Sequence, residues 1–296
     1  MTEDNLLNFF AYMKDGSIKR IPLSRNLQQN LTQGFEERLE EHISNDHTLL
    51  SFEDNVHYKP DADELFVIEN FEMTPEIIGS LNNPVNLENI SEDDFENTKT
   101  IFCGKQTADG NYDIMFTVFD SRKIIKSSRL KTIISYRRGT FTDIENKMIV
   151  IEEKIDVLFR DGNLYFHSFT NAKKIFGDML NDYYREATDD EVEEFSNNLF
   201  ESEIPKEFID DRSRKLIFGI MKSGIPEVQR VVQIGREKFG IELETTEDGK
   251  LAIPENKKDF KKLLKLLNDD MWESPLTGSK YETNSKRRIS WGANGA

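Results

Sequence analysis

Residue patterns along the chain predict an α+β fold: an antiparallel, β-rich N-terminal half, then a helical C-terminal half with a returning C-terminal strand. Three observations predict it. Asp-Gly pairs separate apolar runs three times before about residue 170, and both positions of such a pair tolerate the positive φ of a tight hairpin. Beyond that point apolar residues recur at helical spacing behind capping residues. The charge also divides by region. The net charge of −16 splits into 7 basic and 21 acidic residues over 1–100, 14 and 17 over 101–200, and 18 and 17 over 201–296. The expected organisation is a β-rich domain over 1–170 with one long helix near 26–44, and a helical region over 171–296.

The elements follow in order. Asp15-Gly16 follows the apolar run Phe9–Met13, Asp109-Gly110 joins Thr100–Gly104 to Tyr112–Phe119, and Asp161-Gly162 joins Ile155–Phe159 to Leu164–Phe169. Lys147–Glu153 and Leu65–Ile68 read as further strands. Leu27, Leu31, Phe35, Leu39 and Ile43 recur every four residues with Glu36, Glu37, Glu40 and Glu41 opposite, which predicts an amphipathic helix. The stretch 70–97 is rich in turn residues and leaves room for one short helix. Asn171–Phe176 opens the helical part, and Thr188-Asp189-Asp190-Glu191 has the form of a capping box. Helices are expected over 206–222 and 226–239, with Pro226 in a first turn. Asn256 caps the last helix, 256–268, whose apolar face is Phe260, Leu263, Leu264 and Leu267 and whose other face is five lysines. Tyr281–Ile289 reads as a strand able to return to the sheet.

Composition excludes several classes. Apolar residues make up 37% and aromatics 10%, which is enough for a core. No apolar run approaches the roughly 18–20 residues of a membrane span. The acidic start Met1-Thr2-Glu3-Asp4 is the reverse of a signal peptide, so a cytoplasmic protein is expected. Cys103 is the single cysteine, which excludes an internal disulfide or a multi-cysteine zinc site.

The search for chemistry starts from charge. Ser121–Thr142 holds no acidic residue and seven basic ones: Arg122, Lys123, Lys126, Arg129, Lys131, Arg137 and Arg138. Such a run suits phosphate neutralisation with counterion release, and Ser127, Ser128, Ser135, Thr140 and Thr142 add short hydroxyl donors. Tyr136 beside two arginines supplies a stacking face. The competing reading is intramolecular: these bases pair with the acidic block 178–211, which carries 13 carboxylates, or with a second copy of the chain. Gly104-Lys105-Gln106 lacks the remainder of a phosphate loop. His42 is expected on an exposed helix edge, His167 in a structural position, and Cys103 in the core. Asp143 ahead of Glu152-Glu153-Lys154 is compatible with a Mg²⁺-dependent nuclease using Asp143, Glu152 and Lys154. In a chain with 55 acids such a triple also arises by chance.

The C-terminal run Leu276-Thr277-Gly278-Ser279-Lys280-Tyr281-Glu282-Thr283-Asn284-Ser285-Lys286, behind a helix like 256–268, resembles the KwaB family of the bacterial Kiwa anti-phage system. The strand Asp156-Val157-Leu158-Phe159 with its Asp-Gly turn, and the passage from Phe169 to Phe176, are also similar. Residues 1–95 show no match. The resemblance implies a cytoplasmic defence effector at the inner face of the membrane through a membrane-embedded partner, KwaA. It also implies binding to DNA in place of a known catalysed reaction; no cofactor and no metal are expected. Lys280, Tyr281, Ser285, Lys286, Arg287 and Arg288 are the matched positions expected to be functional. Taken with the charge reading, the expected DNA contacts are the seven bases of 121–142 with Lys280, Lys286 and Arg287, on a homo-oligomer. The alternatives are the nuclease and an interaction scaffold that never touches nucleic acid.

Overall fold

Asp-Gly turns set the strand pairing. A computed structural model describes residues 6–286 except 43–46, 54, 57, 128–131, 138–139, 145 and 284. Strands β1 (Asn8–Met13) and β2 (Ile18–Ile21) form the first hairpin, with Gly16 at φ 87°. Met13 N donates to Ser17 O (2.9 Å) and Gly16 N to Met13 O (3.1 Å), so the glycine takes the left-handed place of a short bulged loop while Asp15 Oδ1 accepts from Ser17 N. Helix α1 (Arg25–His42) follows, then β3 (Thr48–Ser51), β4 (Glu64–Ile68) and α2 (Pro75–Asn82). Strands β5 (Thr98–Gln106) and β6 (Tyr112–Val118) repeat the bulged loop around Gly110, at φ 88°. Next come the short β7 (Ile124–Ile125), β8 (Ile134–Arg137), β9 (Thr140–Asp143) and β10 (Met148–Ile149). Strands β11 (Val157–Arg160) and β12 (Asn163–Phe166) close the tightest turn, where Asp161 and Gly162 are both at positive φ, 52° and 74°.

The chain's contacts cluster into two compact units: Met1–Phe52 with Pro60–Asp178, and Glu53–Lys59 with Met179–Ala296. The first is built on an eight-stranded sheet in the order β2-β1-β5-β6-β11-β12-β4-β3. Its pairs are antiparallel except β3 with β4, which is parallel. Alternate residues of each strand face opposite ways, and both faces are covered. Phe9, Ala11, Cys103, Met115 and Leu158 join Leu31, Phe35 and Leu39 of α1 in one core. The neighbouring positions carry a chain of rings on the other face, where Phe10 stacks on Phe102 at 5.1 Å and Phe102 meets Phe116 at 5.5 Å. Phe116 then meets Phe176 of α3 (Phe169–Phe176), edge to face, at 5.1 Å. Two buried faces explain why Ile114-Met115-Phe116 is a continuous apolar run. Gly104 is required where β5 approaches β6, since a Cβ there would lie 2.5 Å from Asp113 O.

Three expectations need correction here. The Lys147–Glu153 strand is reduced to β10, whose Met148 and Ile149 pair with β7 outside the main sheet, with Val150 N adding a bond to Lys123 O at 2.8 Å. Leu27 is 46% exposed and so is not part of the core face of α1. His42, in the last turn of α1, is mostly buried, with its Nε2 shielded from solvent.

The second unit is helical. It contains α4 (Asp189–Leu199), α5 (Asp211–Ser223), α6 (Val228–Ile234) and α7 (Lys257–Leu267). The capping box holds: Thr188 N donates to Glu191 Oε2 (2.8 Å) and Glu191 N to Thr188 Oγ1 (3.3 Å). Residues 206–208 form a separate turn because Asp210 caps α5, its Oδ1 accepting from Ser213 N at 3.0 Å. Pro226 lies two residues ahead of α6, which widens into a π turn at Gly235–Phe239. Asn256 caps α7, and Phe260, Leu263, Leu264 and Leu267 are buried with Phe195, Phe200 and Leu216. The C-terminal strand β14 (Lys280–Glu282) returns onto β13 (Met271–Glu273) as a two-stranded ribbon, and not onto the eight-stranded sheet.

Candidate nucleic-acid interface

The acid-free stretch begins at the mouth of a polar pocket of about 510 Å³ in the first unit. The end of β6 contributes Val118, the following turn Asp120, Arg122 and Lys123, the segment before β11 Val150, Glu152, Lys154 and Asp156, and α3 Asn171 and Lys174. Four of these side chains are cationic and three are carboxylates.

Asp156 organises the site. Its carboxylate is almost wholly buried, and it accepts from Val118 N (2.8 Å) and Asn171 Nδ2 (2.9 Å) and pairs with Lys154 Nζ (2.8 Å). One side chain thus ties the end of β6 to the first turn of α3. That turn forms because Ser168 caps it, Oγ accepting from Asn171 N at 3.4 Å, while Ala172, Ile175 and Phe176 turn inward. Lys174 is left on the exposed side and makes no ion pair among the described residues.

The bases of 121–142 are held locally. Asp120 accepts from Arg122 N (2.9 Å) and pairs with Arg122 Nη2 (2.6 Å), and Arg122 holds the Asp120 carboxyl down at about 2. Lys123 Nζ donates to Val118 O (2.6 Å) and pairs with Glu152 (2.9 Å). Lys126 pairs with Glu96, outside the pocket. Pairing with the acidic 178–211 block is therefore not what these three bases do. Carboxylates of that block pair with Arg185, Arg214, Lys215, Lys257 and Lys261. The lysine face of α7 is partly consumed as well, since Lys257 and Lys261 hold Asp210 and Lys265 holds Glu282.

Of the expected contacts, Arg122 and Lys123 reach the pocket. Arg129, Lys131, Arg138 and Arg287 lie outside the described residues, as does the side chain of Arg137 on β8. Lys280 is exposed on β14 and Lys286 pairs with Asp270 at 3.0 Å, both in the second unit. Tyr136 and Ile134 are 63% and 56% exposed on the β8–β9 ribbon, which pairs with no other strand among the described residues. Glu152 and Lys154 of the nuclease triple share the pocket, whereas Asp143 is on β9 with its side chain outside the described residues. Among the described residues no group of three His, Cys, Asp or Glu side chains is placed to hold a metal ion. No described helix is long and apolar enough to cross a membrane. Sequence reasoning missed Asp120, Asn171 and Lys174. The available signals were an aspartate at the border of the acid-free run and a Ser-x-x-Asn start to a helix.

The arrangement can receive an anion. Arg122 and Lys154 keep 86% and 61% of their side chains exposed while paired, and Lys174 is free to bind. No curated protein and no solved structure matches the chain. The family model described as Kiwa protein KwaB-like matches residues 109–277, a span that contains the whole pocket and more than half of the chain. The chain belongs to the KwaB-like family, and is thereby a component of the Kiwa type of anti-phage defence.

Proposed function

We propose that the chain is a non-catalytic, DNA-binding effector of this defence system, acting as an oligomer with a membrane-embedded partner of the KwaA type at the inner face of the membrane. The observation that carries the reading is the pocket, where Arg122, Lys154 and Lys174 face solvent around one excess positive charge. Phosphate oxygens are the chemistry that matches exposed guanidinium and ammonium groups. The β8–β9 ribbon, with Tyr136 outward, is a two-stranded element of the kind that can enter a groove. The acidic first third suits a basic partner surface, and cytoplasmic loops of membrane proteins are enriched in lysine and arginine.

Fluorescence anisotropy with a labelled duplex tests the reading. Arg122→Glu with Lys174→Glu is expected to weaken binding at least tenfold and to lower the salt slope by about one per lost phosphate contact. Lys258→Glu with Lys262→Glu on α7 is expected to leave binding unchanged. Wild-type protein that binds no DNA at low salt overturns the proposal. That result would favour the scaffold, a second reading supported by the pairing of Arg122, Lys123 and Lys126 with Asp120, Glu152 and Glu96.

A further inference from the structure

The ribbon β13–β14 has an edge that pairs with no strand among the described residues, and its sequence is complementary to itself. Trp272 lies opposite Tyr281, between the pairs Met271–Glu282 and Glu273–Lys280. Ser274 N donates to Ser279 O (2.9 Å) and Thr283 N to Asp270 O (2.8 Å). Hydrogen-bonded and non-hydrogen-bonded pairs alternate along an antiparallel ribbon, so the Trp272–Tyr281 pair belongs to the bonded set. The backbone N–H and C=O of Lys280 and Glu282 then point away from β13. Among the described residues these groups have no partner, and all three residues of β14 are exposed. An edge of this kind is a template for another strand.

The residues on the edge favour one occupant. An antiparallel copy of Lys280-Tyr281-Glu282, centred on Tyr281, sets Lys280 opposite Glu282 twice, once in each direction. The outward backbone groups of Lys280 and Glu282 are the ones such a register bonds. The two Tyr281 rings meet on the face where Tyr281 already stacks on Trp272, at 5.1 Å and 21° between planes. Trp272 and Tyr281 are 46% and 48% exposed, so the joined ribbons would carry a ladder of four aromatic rings. The symmetry is that of an isologous dimer, in which the same patch meets itself.

We propose that β14 pairs edge to edge with β14 of a second copy of the chain, in the register Tyr281 to Tyr281. The inference gives the oligomer of the proposed function a surface, and it does not depend on DNA binding. Three residues per strand cover much less than the roughly 800 Å² per partner of a stable interface. The dimer is therefore weak, and its population rises with concentration.

Sedimentation velocity over a concentration series at low salt tests the register. Wild-type protein is expected to pass from monomer to dimer. Lys280→Glu alone and Glu282→Lys alone each place like charges opposite one another and are expected to keep the protein monomeric. The double variant restores opposite charges and is expected to restore the dimer. Lys265→Ala removes the same partner from Glu282 without changing the edge, and is expected to dimerise like wild type. Melting curves show that each variant is folded. A wild-type protein that stays monomeric throughout overturns this surface and the oligomeric reading together. A wild-type dimer that both single variants leave intact overturns the surface alone. A folded double variant that stays monomeric, when the single variants do too, overturns the register.

Discussion

Asp156 accepts from a strand amide and a helix amide side chain while pairing with a lysine, and that single residue decides where the pocket forms. Its role depends on Val118 and Asn171, which are distant in sequence, so no local pattern announces it. His42 is a second case. The period of α1 places it beside the apolar stripe, which suggests an exposed edge, yet its Nε2 is buried with no partner among the described residues. Burial pulls its pKa down from the usual 6.5 to about 4, with His47 and His167 acting in the same direction and Asp156 opposing. The unfolded chain therefore binds a proton between these values that the folded chain does not. Stability is fully present above pH 6.5 and falls as pH drops toward 4, by about 1.4 kcal/mol per pH unit. Urea midpoints between pH 7 and 4.5 should show this slope, and His42→Gln should flatten it. An unchanged slope in the variant would assign the acid sensitivity to other groups.

At the scale of elements, turn and cap chemistry carried most of the information. All three expected Asp-Gly turns form, because glycine reaches positive φ without strain. A fourth, Asp248-Gly249, closes the same bulged loop, with Thr246 N donating to Lys250 O at 2.9 Å, but only an isolated bridge flanks it and no apolar runs marked it as a hairpin. The cap of α4 was legible for the same local reason. Thr188→Ala removes the hydroxyl that accepts from Glu191 N and should cost about 1 kcal/mol. The loss should be read as a lower melting temperature, with Thr188→Ser largely retaining stability. Strand partners were less legible. The returning C-terminal strand exists, but its pairing with β13 depends on Asn268 and Asp269 reversing the chain after α7, with Asp269 at φ 55°.

For the whole molecule, the core that joins α1 to the sheet and the core that joins α4 to α7 share no residue. Each is large enough to melt cooperatively, so calorimetry should resolve two transitions. Leu264 is fully buried in the helical core, and Leu264→Ala should lower one transition by about 2–5 kcal/mol of unfolding free energy while leaving the other in place. A single transition that moves as a whole would show that the units unfold together. Charge also belongs to this scale. The sum of −16 by itself opposes an anionic ligand, but 21 of the 55 acids lie in residues 1–100, against only 7 bases. The pocket itself carries four cations against three carboxylates.

The sequence by itself determined the α+β class, the hairpins, the caps and the amphipathic faces, because these depend on neighbours within about four residues. It also placed the acid-free stretch and the run that resembles the KwaB family. Only the tertiary structure decided that Arg122, Lys123 and Lys126 pair with Asp120, Glu152 and Glu96. It also decided that Glu152 and Lys154 share a pocket with Asn171 and Lys174, and that the outward backbone groups of β14 have no partner among the described residues. Charge pairing and edge exposure depend on distances through space between residues far apart in the chain.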